Sequence, residues 1–181
     1  ENHLPLYVDG ARLAYALASP ENDVTLTDLA ELCDVFYIGG TKCGALFGEA
    51  VVIPQKGRIP HFFTIIKQHG ALLAKGRIAG IQFGELFTDG LYQRIGKPAM
   101  EAAEQIKAAL KKYGYQLSLD TPTNQIFCIV SNEVMKKIAQ DVEFGFWEKY
   151  DETHSVIRFA TSWATTMEDT QKLIQILEKN K

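Results

Sequence analysis

The chain has 181 residues, of which 46% are hydrophobic and 23% are charged. This balance is typical of an ordinary globular protein with one good core, or with one domain and part of another. Lysine and arginine number 19 against 22 aspartate and glutamate residues, and the net charge is −3. No basic surface therefore indicates a nucleic acid or an acidic membrane as partner, and no apolar run approaches the roughly 20 residues of a membrane span.

Cysteine and histidine are too scattered to predict a metal site or a disulfide framework. The three cysteines are odd in number, which favours reduced thiols and a cytoplasmic location. The four histidines show neither HxxxH nor HExxH spacing, and no CxxC pair occurs. We therefore expect no metal held by the protein's own side chains.

Two short apolar runs dominate the first part of the chain. Residues 4–8 are predicted to form a buried strand that ends at Asp9, and residues 35–38 a second strand. Between them, Thr25 and Asp28 have the spacing of a helix capping box. Strand, helix and strand in about 35 residues predict a βαβ unit, whose parallel strands place functional groups at their C-terminal ends.

The rest of the chain continues this α/β pattern. A third strand is predicted over residues 48–53, and a long helix runs from Pro98 to the stop at Gly114. Further helices are predicted at 59–69, 78–95, 133–140 and 167–178, and further strands at 116–119, 125–130 and 156–160. We expect a parallel-type sheet within residues 1–96 and a small α+β domain within residues 97–181.

An acid and a lysine follow the first two predicted strands, in Asp9-Gly-Ala-Arg12 and Gly39-Gly-Thr-Lys42. Glycines allow the backbone to turn sharply and to come close to something bulky. A lysine among small, partly dry neighbours has its charged form disfavoured, which makes its amine a nucleophile. Pyridoxal phosphate needs such a pair, because a carboxylate keeps its ring nitrogen protonated while a lysine holds its aldehyde as a Schiff base.

Simpler interpretations stay open for each of these residues. Lys42 could be an ordinary surface lysine. Asp9 could cap the helix that begins near Arg12, with Arg12 as its surface partner. Lys75 and Arg77, in a stretch rich in small residues, could be the solvated start of a helix.

The runs Asp9-Gly-Ala-Arg12 and Thr41-Lys42 resemble the DGAR and Ser/Thr-Lys motifs of the threonine aldolase and β-eliminating lyase family. These are pyridoxal-phosphate enzymes of the aspartate-aminotransferase fold type I. The resemblance extends over nearly the whole chain but covers only the C-terminal half or so of such an enzyme. It implies that residues 1–96 are the C-terminal part of the large cofactor-binding domain and that residues 97–181 are the small C-terminal domain.

The resemblance also implies roles for individual residues. Lys42 would carry the cofactor, Asp9 would pair with the pyridine nitrogen, and both would be catalytic. Arg12 would lie near the ring oxygen or the substrate, and Thr41 would take part in cofactor binding. Arg77 matches an arginine close to the cofactor phosphate or the substrate, with a spacing that is a few residues longer.

Arg158 lies in an apolar predicted strand. An arginine on the inward face of such a strand is costly unless a planar anion pairs with its guanidinium fork. Family members carry an arginine there that binds the α-carboxylate of the amino-acid substrate. A structural ion pair between domains is the alternative.

Taken together, the resemblance implies a lyase that splits a β-hydroxy amino acid into glycine and an aldehyde, as a homodimer or homotetramer. A β-eliminating lyase or an aminotransferase on the same scaffold is an alternative, distinguished by its product, which would be ammonia or a keto acid. A catalytically inactive fragment is a third interpretation. The chain departs from typical threonine aldolases in having Cys43-Gly-Ala45 after the lysine, where they have Gly-Leu-Gly.

Overall fold

The structure is a computed structural model and describes residues 4–181. The chain divides into two units, one made of residues 4–17 and 22–95, the other of residues 18–21 and 96–181. The first unit contains a three-stranded sheet and the second a four-stranded sheet. No helix within residues 4–181 is long and apolar enough to cross a membrane.

The sheet of the first unit consists of β1 (Tyr7–Val8), β2 (Val35–Gly39) and β3 (Glu49–Val52), in that order. β1 and β2 are parallel, as the βαβ pattern predicts, and the chain between them passes through α1 (Leu13–Leu17) and α2 (Leu26–Leu32). β3 instead runs antiparallel to β2, so the sheet is mixed rather than parallel throughout. Residues 40–48 are too few for a crossover to a parallel strand, which needs about a dozen or more.

Local signals explain where the helices of this unit begin and end. The predicted capping box is formed, since Thr25 Oγ1 accepts from the N–H of Asp28 at 3.2 Å and Asp28 accepts from the N–H of Thr25 at 2.8 Å. The single helix expected over residues 78–95 is interrupted, because Asp89 and Gly90 have φ angles of 49° and 65°. Such left-handed residues cannot continue a right-handed helix. The unit accordingly contains α3 (Phe62–Gln68), α4 (Arg77–Phe87) and a short α5 (Leu91–Arg94).

The second unit has an antiparallel sheet in the order β4, β5, β7, β6. Its elements in chain order are α6 (Lys97–Lys112), β4 (Gln116–Leu119), β5 (Gln125–Ser131), α7 (Asn132–Ile138), β6 (Gly145–Lys149), β7 (His154–Ala160) and α8 (Met167–Lys179). The sequence did not predict β6. This strand lies at the edge of the sheet and most of its residues are exposed, so it lacks the alternation of buried and exposed residues by which strands are recognised.

The core of the second unit lies between its sheet and its helices. The buried residues come from both, and they are Ala103, Ile106, Leu110, Ile126, Cys128, Val130, Ile138, Ile157, Phe159 and Leu177. Ile157 and Phe159 of β7 belong to this core. Because successive side chains of a strand point to opposite faces, Arg158 between them lies on the face away from the core.

Candidate functional site

Asp9 directly follows β1, and two donors hold its carboxylate. The hydroxyl of Tyr37 and the backbone N–H of Ala11 both donate to Oδ1, the second at 3.0 Å. The hydrogen bond from Tyr37 is the largest cause that lowers the pKa of Asp9, followed by the bond from Ala11. The positive charges of Lys42 and Arg12 lower it further. Asp9 is therefore an ionised, exposed carboxylate near two cations. Its backbone partner precedes α1, whereas a helix cap would accept from the N–H groups of the first helical turn.

Backbone contact between two glycines brings the Asp9 loop beside the end of β2. The N–H of Gly39 donates to the carbonyl of Gly10 at 2.9 Å. A Cβ atom on Gly10 would lie 1.7 Å from the Tyr37 carbonyl oxygen, and one on Gly39 would lie 2.5 Å from the Ala11 carbonyl oxygen. The bulky group that these glycines approach is thus the chain's own backbone.

Lys42 lies in a short 3₁₀ helix, Thr41–Cys43, immediately after β2. Its backbone carbonyl accepts a hydrogen bond from the hydroxyl of Tyr15, and the buried Cys43 directs its Sγ to the Gly39 carbonyl at 3.1 Å. The Lys42 side chain itself is exposed. Residues 4–181 therefore do not supply the partly dry surroundings that the sequence led us to expect for its amine.

Glu49, which the sequence analysis missed, closes the turn that carries Lys42. Its Oε2 accepts from the N–H of Gly40 at 2.8 Å, and its Oε1 accepts from Thr41 Oγ1 at 3.0 Å. A hydroxyl has a single hydrogen to donate, so Thr41 cannot donate to a phosphate while it is bonded to Glu49. The position of Glu49 at the start of an apolar run gave no sign of these contacts.

The two predicted arginines of the first unit differ in their surroundings. Arg12 is half-buried just before α1, and its charge acts on Asp9. Arg77 is exposed and is the first residue of α4. It is absent from the charged groups of residues 4–181 that shift the pKa of Asp9. The charges of Arg12 and Lys42 thus act on Asp9, whereas Arg77 is not among the charges that do.

Arg158 is half-buried on the face of β7 away from the core, so the expectation that it points inward is wrong. Its Nη1 donates to Gln125 Oε1 at 3.2 Å, and the guanidinium lies 5.6 Å from the centroid of the Trp147 ring. It is paired across the sheet with Gly145, where a Cβ would lie 3.4 Å from Nε. Arg158 takes part in none of the salt bridges found among residues 4–181.

The sequence did not predict the side chains that contact Asp9 and Arg158. Tyr37 reads as one more apolar strand residue, and Gln125 and Trp147 lie 33 and 11 positions from Arg158. The predicted strands 125–130 and 156–160 contain Gln125 and Arg158, but the sequence pattern could not show that these two strands are neighbours.

The residues of the first unit fit two of the three groups of pyridoxal phosphate. The ring nitrogen needs an ionised carboxylate with a free oxygen, and Oδ2 of Asp9 accepts no hydrogen bond from residues 4–181. The aldehyde needs an accessible primary amine, which Lys42 offers nearby. The phosphate is served less well, because Glu49 already occupies the Gly40 N–H and the Thr41 hydroxyl.

Comparison with known proteins identifies relatives of about twice the length. No family model matches the chain. It is 28% identical over 165 residues to the low specificity L-threonine aldolase of Pseudomonas sp. (strain NCIMB 10558), covering 90% of this chain and 46% of that protein. The structure of Leishmania major threonine aldolase matches with a TM-score of 0.93 and 40% identity, over 97% of this chain and 52% of that one. The chain spans about half the length of these relatives.

More distant structures share the fold alone. Sphingomonas wittichii serine palmitoyltransferase has a TM-score of 0.67 at 13% identity, over 97% of this chain and 47% of that one. An 8-amino-7-oxononanoate synthase from Francisella tularensis has a TM-score of 0.59 at 12% identity, over 80% of this chain and 44% of that one. The fold is that of a C-terminal part of the fold type I enzymes, which confirms the predicted fold class.

Proposed function

We propose, from the relationship of this chain to the C-terminal portion of threonine aldolases, that it is part of a pyridoxal-phosphate-dependent lyase. The reaction is the cleavage of a β-hydroxy amino acid into glycine and an aldehyde. The observation that carries the proposal is the placement of Asp9 and Lys42 after adjacent parallel strands, close enough for the lysine charge to act on the carboxylate. The 40% identity to the Leishmania major enzyme supports threonine-aldolase chemistry over that of the distant synthases.

The chain's own residues divide the work of binding and proton control. When bound, the cofactor supplies an electron sink for the electrons of the breaking Cα–Cβ bond. Lys42 attaches it through its exposed amine, and Asp9 holds the proton on its ring nitrogen. The low pKa of Asp9 suits this role, because the carboxylate stays ionised near neutral pH. Arg12 adds positive charge beside Asp9.

Thr41 and Arg77 are the remaining proposed contacts of the cofactor phosphate. Because Thr41 donates its single hydroxyl hydrogen to Glu49, it can donate to the phosphate only after giving up that bond. Arg77 is exposed at the start of α4, where a cation can meet an anion at small desolvation cost. Several further donors are needed for a phosphate that carries close to two charges.

Arg158 binds the α-carboxylate of the substrate in this proposal. Trp147 lies against the guanidinium and Gln125 accepts from Nη1, which leaves Nε and Nη2 without a hydrogen-bond acceptor among residues 4–181. These two groups form the fork that matches a carboxylate in a planar, bidentate contact. An arginine with no acidic partner among the described residues is suited to this role.

We extend the proposal to the organisation of the protein. Residues 1–96 form the C-terminal part of the large cofactor-binding domain, and residues 97–181 form the small domain. The division of the described chain between Ile95 and Gly96 supports this boundary, apart from residues 18–21, which group with the second unit. The enzyme acts as a homodimer or homotetramer in the cytoplasm.

Borohydride reduction of the cofactor-loaded protein, followed by peptide mapping, tests the attachment site. We expect the pyridoxyl group on Lys42, in the unaltered protein and in a Lys75→Arg control. A label on Lys75 or Lys67 would contradict the assignment. A separate incubation of the unreduced, cofactor-loaded protein with threonine identifies the reaction, because aldol cleavage releases glycine and an aldehyde whereas β-elimination releases ammonia.

A further inference from the structure

Tyr37 lies on β2 beside the end of β1, and its side chain reaches across to Asp9. The backbone register pairs Val8 with Phe36, so the next positions along the two strands are those of Asp9 and Tyr37. The Tyr37 hydroxyl donates to Asp9 Oδ1. The link therefore joins the two strands whose ends carry Asp9 and Lys42.

The two hydrogen bonds to Asp9 converge on one oxygen, and this sets the direction of the other. Oδ1 accepts both from Tyr37 and from the N–H of Ala11. With Oδ1 held at two points, rotation of the carboxylate about its Cβ–Cγ bond is restricted. Oδ2, which accepts no hydrogen bond from residues 4–181, is then presented in a single orientation.

Electrostatics keeps Tyr37 in the donating form. The hydrogen bond to Asp9 is the largest of the causes that raise the pKa of Tyr37 to about 12. The phenol is therefore protonated near neutral pH. The same bond is the largest cause of the lowered pKa of Asp9.

From this geometry we propose that Tyr37 is a positioning residue, which orients the carboxylate of Asp9 toward the ring nitrogen of the cofactor. The inference rests on the proposed function for the identity of that group. Its physical basis, the hydrogen bond between Tyr37 and Asp9, can be tested without any cofactor.

Tyr37→Phe removes the hydroxyl and keeps the ring, and Tyr7→Phe is its matched control. Tyr7 lies on β1 with its ring centroid 6.3 Å from that of Tyr37, but it is not among the groups that shift the pKa of Asp9. Carbon-13 NMR of labelled aspartate, with Asp9 assigned from an Asp9→Asn variant, follows the carboxylate titration in the cofactor-free full chain. We expect the Asp9 midpoint to rise toward its ordinary value in Tyr37→Phe and to stay unchanged in Tyr7→Phe.

Cofactor affinity, measured by visible absorbance, gives the second readout. Tyr37→Phe should weaken pyridoxal phosphate binding about two- to tenfold, the range for one lost hydrogen bond. In an Asp9→Asn background the same substitution should have no further effect, because Tyr37 acts through the Asp9 carboxylate. Tyr7→Phe should leave the affinity unchanged in both backgrounds.

The outcomes separate the inference from the proposed function. If the pyridoxyl group is found on Lys42 but the titration midpoint of Asp9 does not change in Tyr37→Phe, the inference is overturned and the proposed function stands. An equal loss of affinity with and without the Asp9 carboxylate would do the same, since it would reveal a role independent of Asp9. Absence of label on Lys42 in the unaltered protein would overturn the proposed function, and the inference with it.

Discussion

Thr41 and Glu49 are joined across the turn that carries Lys42, by a hydrogen bond of 3.0 Å from the threonine hydroxyl to the glutamate carboxylate. The second oxygen of Glu49 accepts from the N–H of Gly40 at 2.8 Å. Gly40 and Thr41 directly precede Lys42, and Glu49 is the first residue of β3. One exposed carboxylate thus ties the lysine turn to the neighbouring strand.

Glu49→Gln should loosen this turn without unfolding the protein. An amide side chain has one acceptor oxygen where the carboxylate has two, so the bond from the Gly40 N–H is either lost or made to a neutral and weaker acceptor. We expect hydrogen exchange at the Gly40 amide to become several-fold faster, by the amount that one hydrogen bond contributes. Glu85→Gln, on the exposed side of α4, is the control. Unchanged exchange at Gly40 in Glu49→Gln would contradict the assigned role.

Gly39→Ala should destabilise the first unit. The new methyl group would lie 2.5 Å from the Ala11 carbonyl oxygen, and the two backbone segments would have to separate. We expect the free energy of unfolding to fall by about 1–3 kcal/mol, as for other overpacked sites. Gly84→Ala on α4 is the matched control, because a methyl group there meets nothing within 4 Å and alanine favours the helix. Urea denaturation of the two variants should therefore give shifts of opposite sign.

Asp9→Asn should leave cofactor attachment possible and slow turnover severely. The amide cannot hold the proton on the ring nitrogen, and we expect a loss of about a hundredfold or more in kcat, as for other lost acid–base groups. Lys42 should still be labelled by borohydride. Asp23→Asn, an exposed aspartate in the loop before α2, should retain normal kcat. Normal turnover in Asp9→Asn would contradict the catalytic role and would show that Asp9 serves only to accept hydrogen bonds from Tyr37 and Ala11.

Arg158→Lys should mainly raise KM. An ammonium group cannot reproduce the guanidinium fork, and we expect an increase of about ten- to a hundredfold, the range for hydrogen bonds to charged groups. The exposed Arg94→Lys serves as control for the loss of a guanidinium elsewhere. An unchanged KM together with a lowered melting temperature in Arg158→Lys would assign Arg158 a structural role instead.

Asp151 should make stability depend on pH in the acid range. Hydrogen bonds lower its pKa to about 2, the largest contribution coming from the Thr153 N–H at 2.7 Å. Because the folded pKa lies below the ordinary value of 3.8, this stability is fully present above that value and is lost as the pH falls through about 2. The difference in unfolding free energy between wild type and Asp151→Asn should therefore vanish toward about pH 2.

Chemical denaturation across this pH range measures the effect. The control is Glu148→Gln, an exposed carboxylate on the adjacent strand β6. A difference between wild type and Asp151→Asn that stayed constant from neutral pH to about pH 2 would contradict the assignment.

Features that depend on neighbours in the chain follow from the sequence by itself. The capping box of Thr25 with Asp28 is formed as predicted, because the pair lies within a single turn, and Thr166 with Asp169 forms a second one in the same way. The parallel pairing of β1 with β2 also follows, since strands joined by a helical crossover run the same way. This pairing was enough to predict Asp9 and Lys42 at adjacent strand ends, and the family resemblance of the two sequence motifs predicted the fold type.

Only the tertiary structure decided which distant side chains meet. Tyr37 lies 28 positions from Asp9, and nothing in an apolar strand distinguishes a tyrosine that binds a carboxylate from one that fills a core. The same holds for Glu49, whose carboxylate binds the turn that carries Lys42, and for Arg158, whose guanidinium faces away from the core toward Trp147 and Gln125. The periodicity of hydrophobic residues indicates which side chains are buried. A half-exposed polar side chain does not contribute to this periodicity. Its partner is set by strand order and register, which are properties of the folded chain.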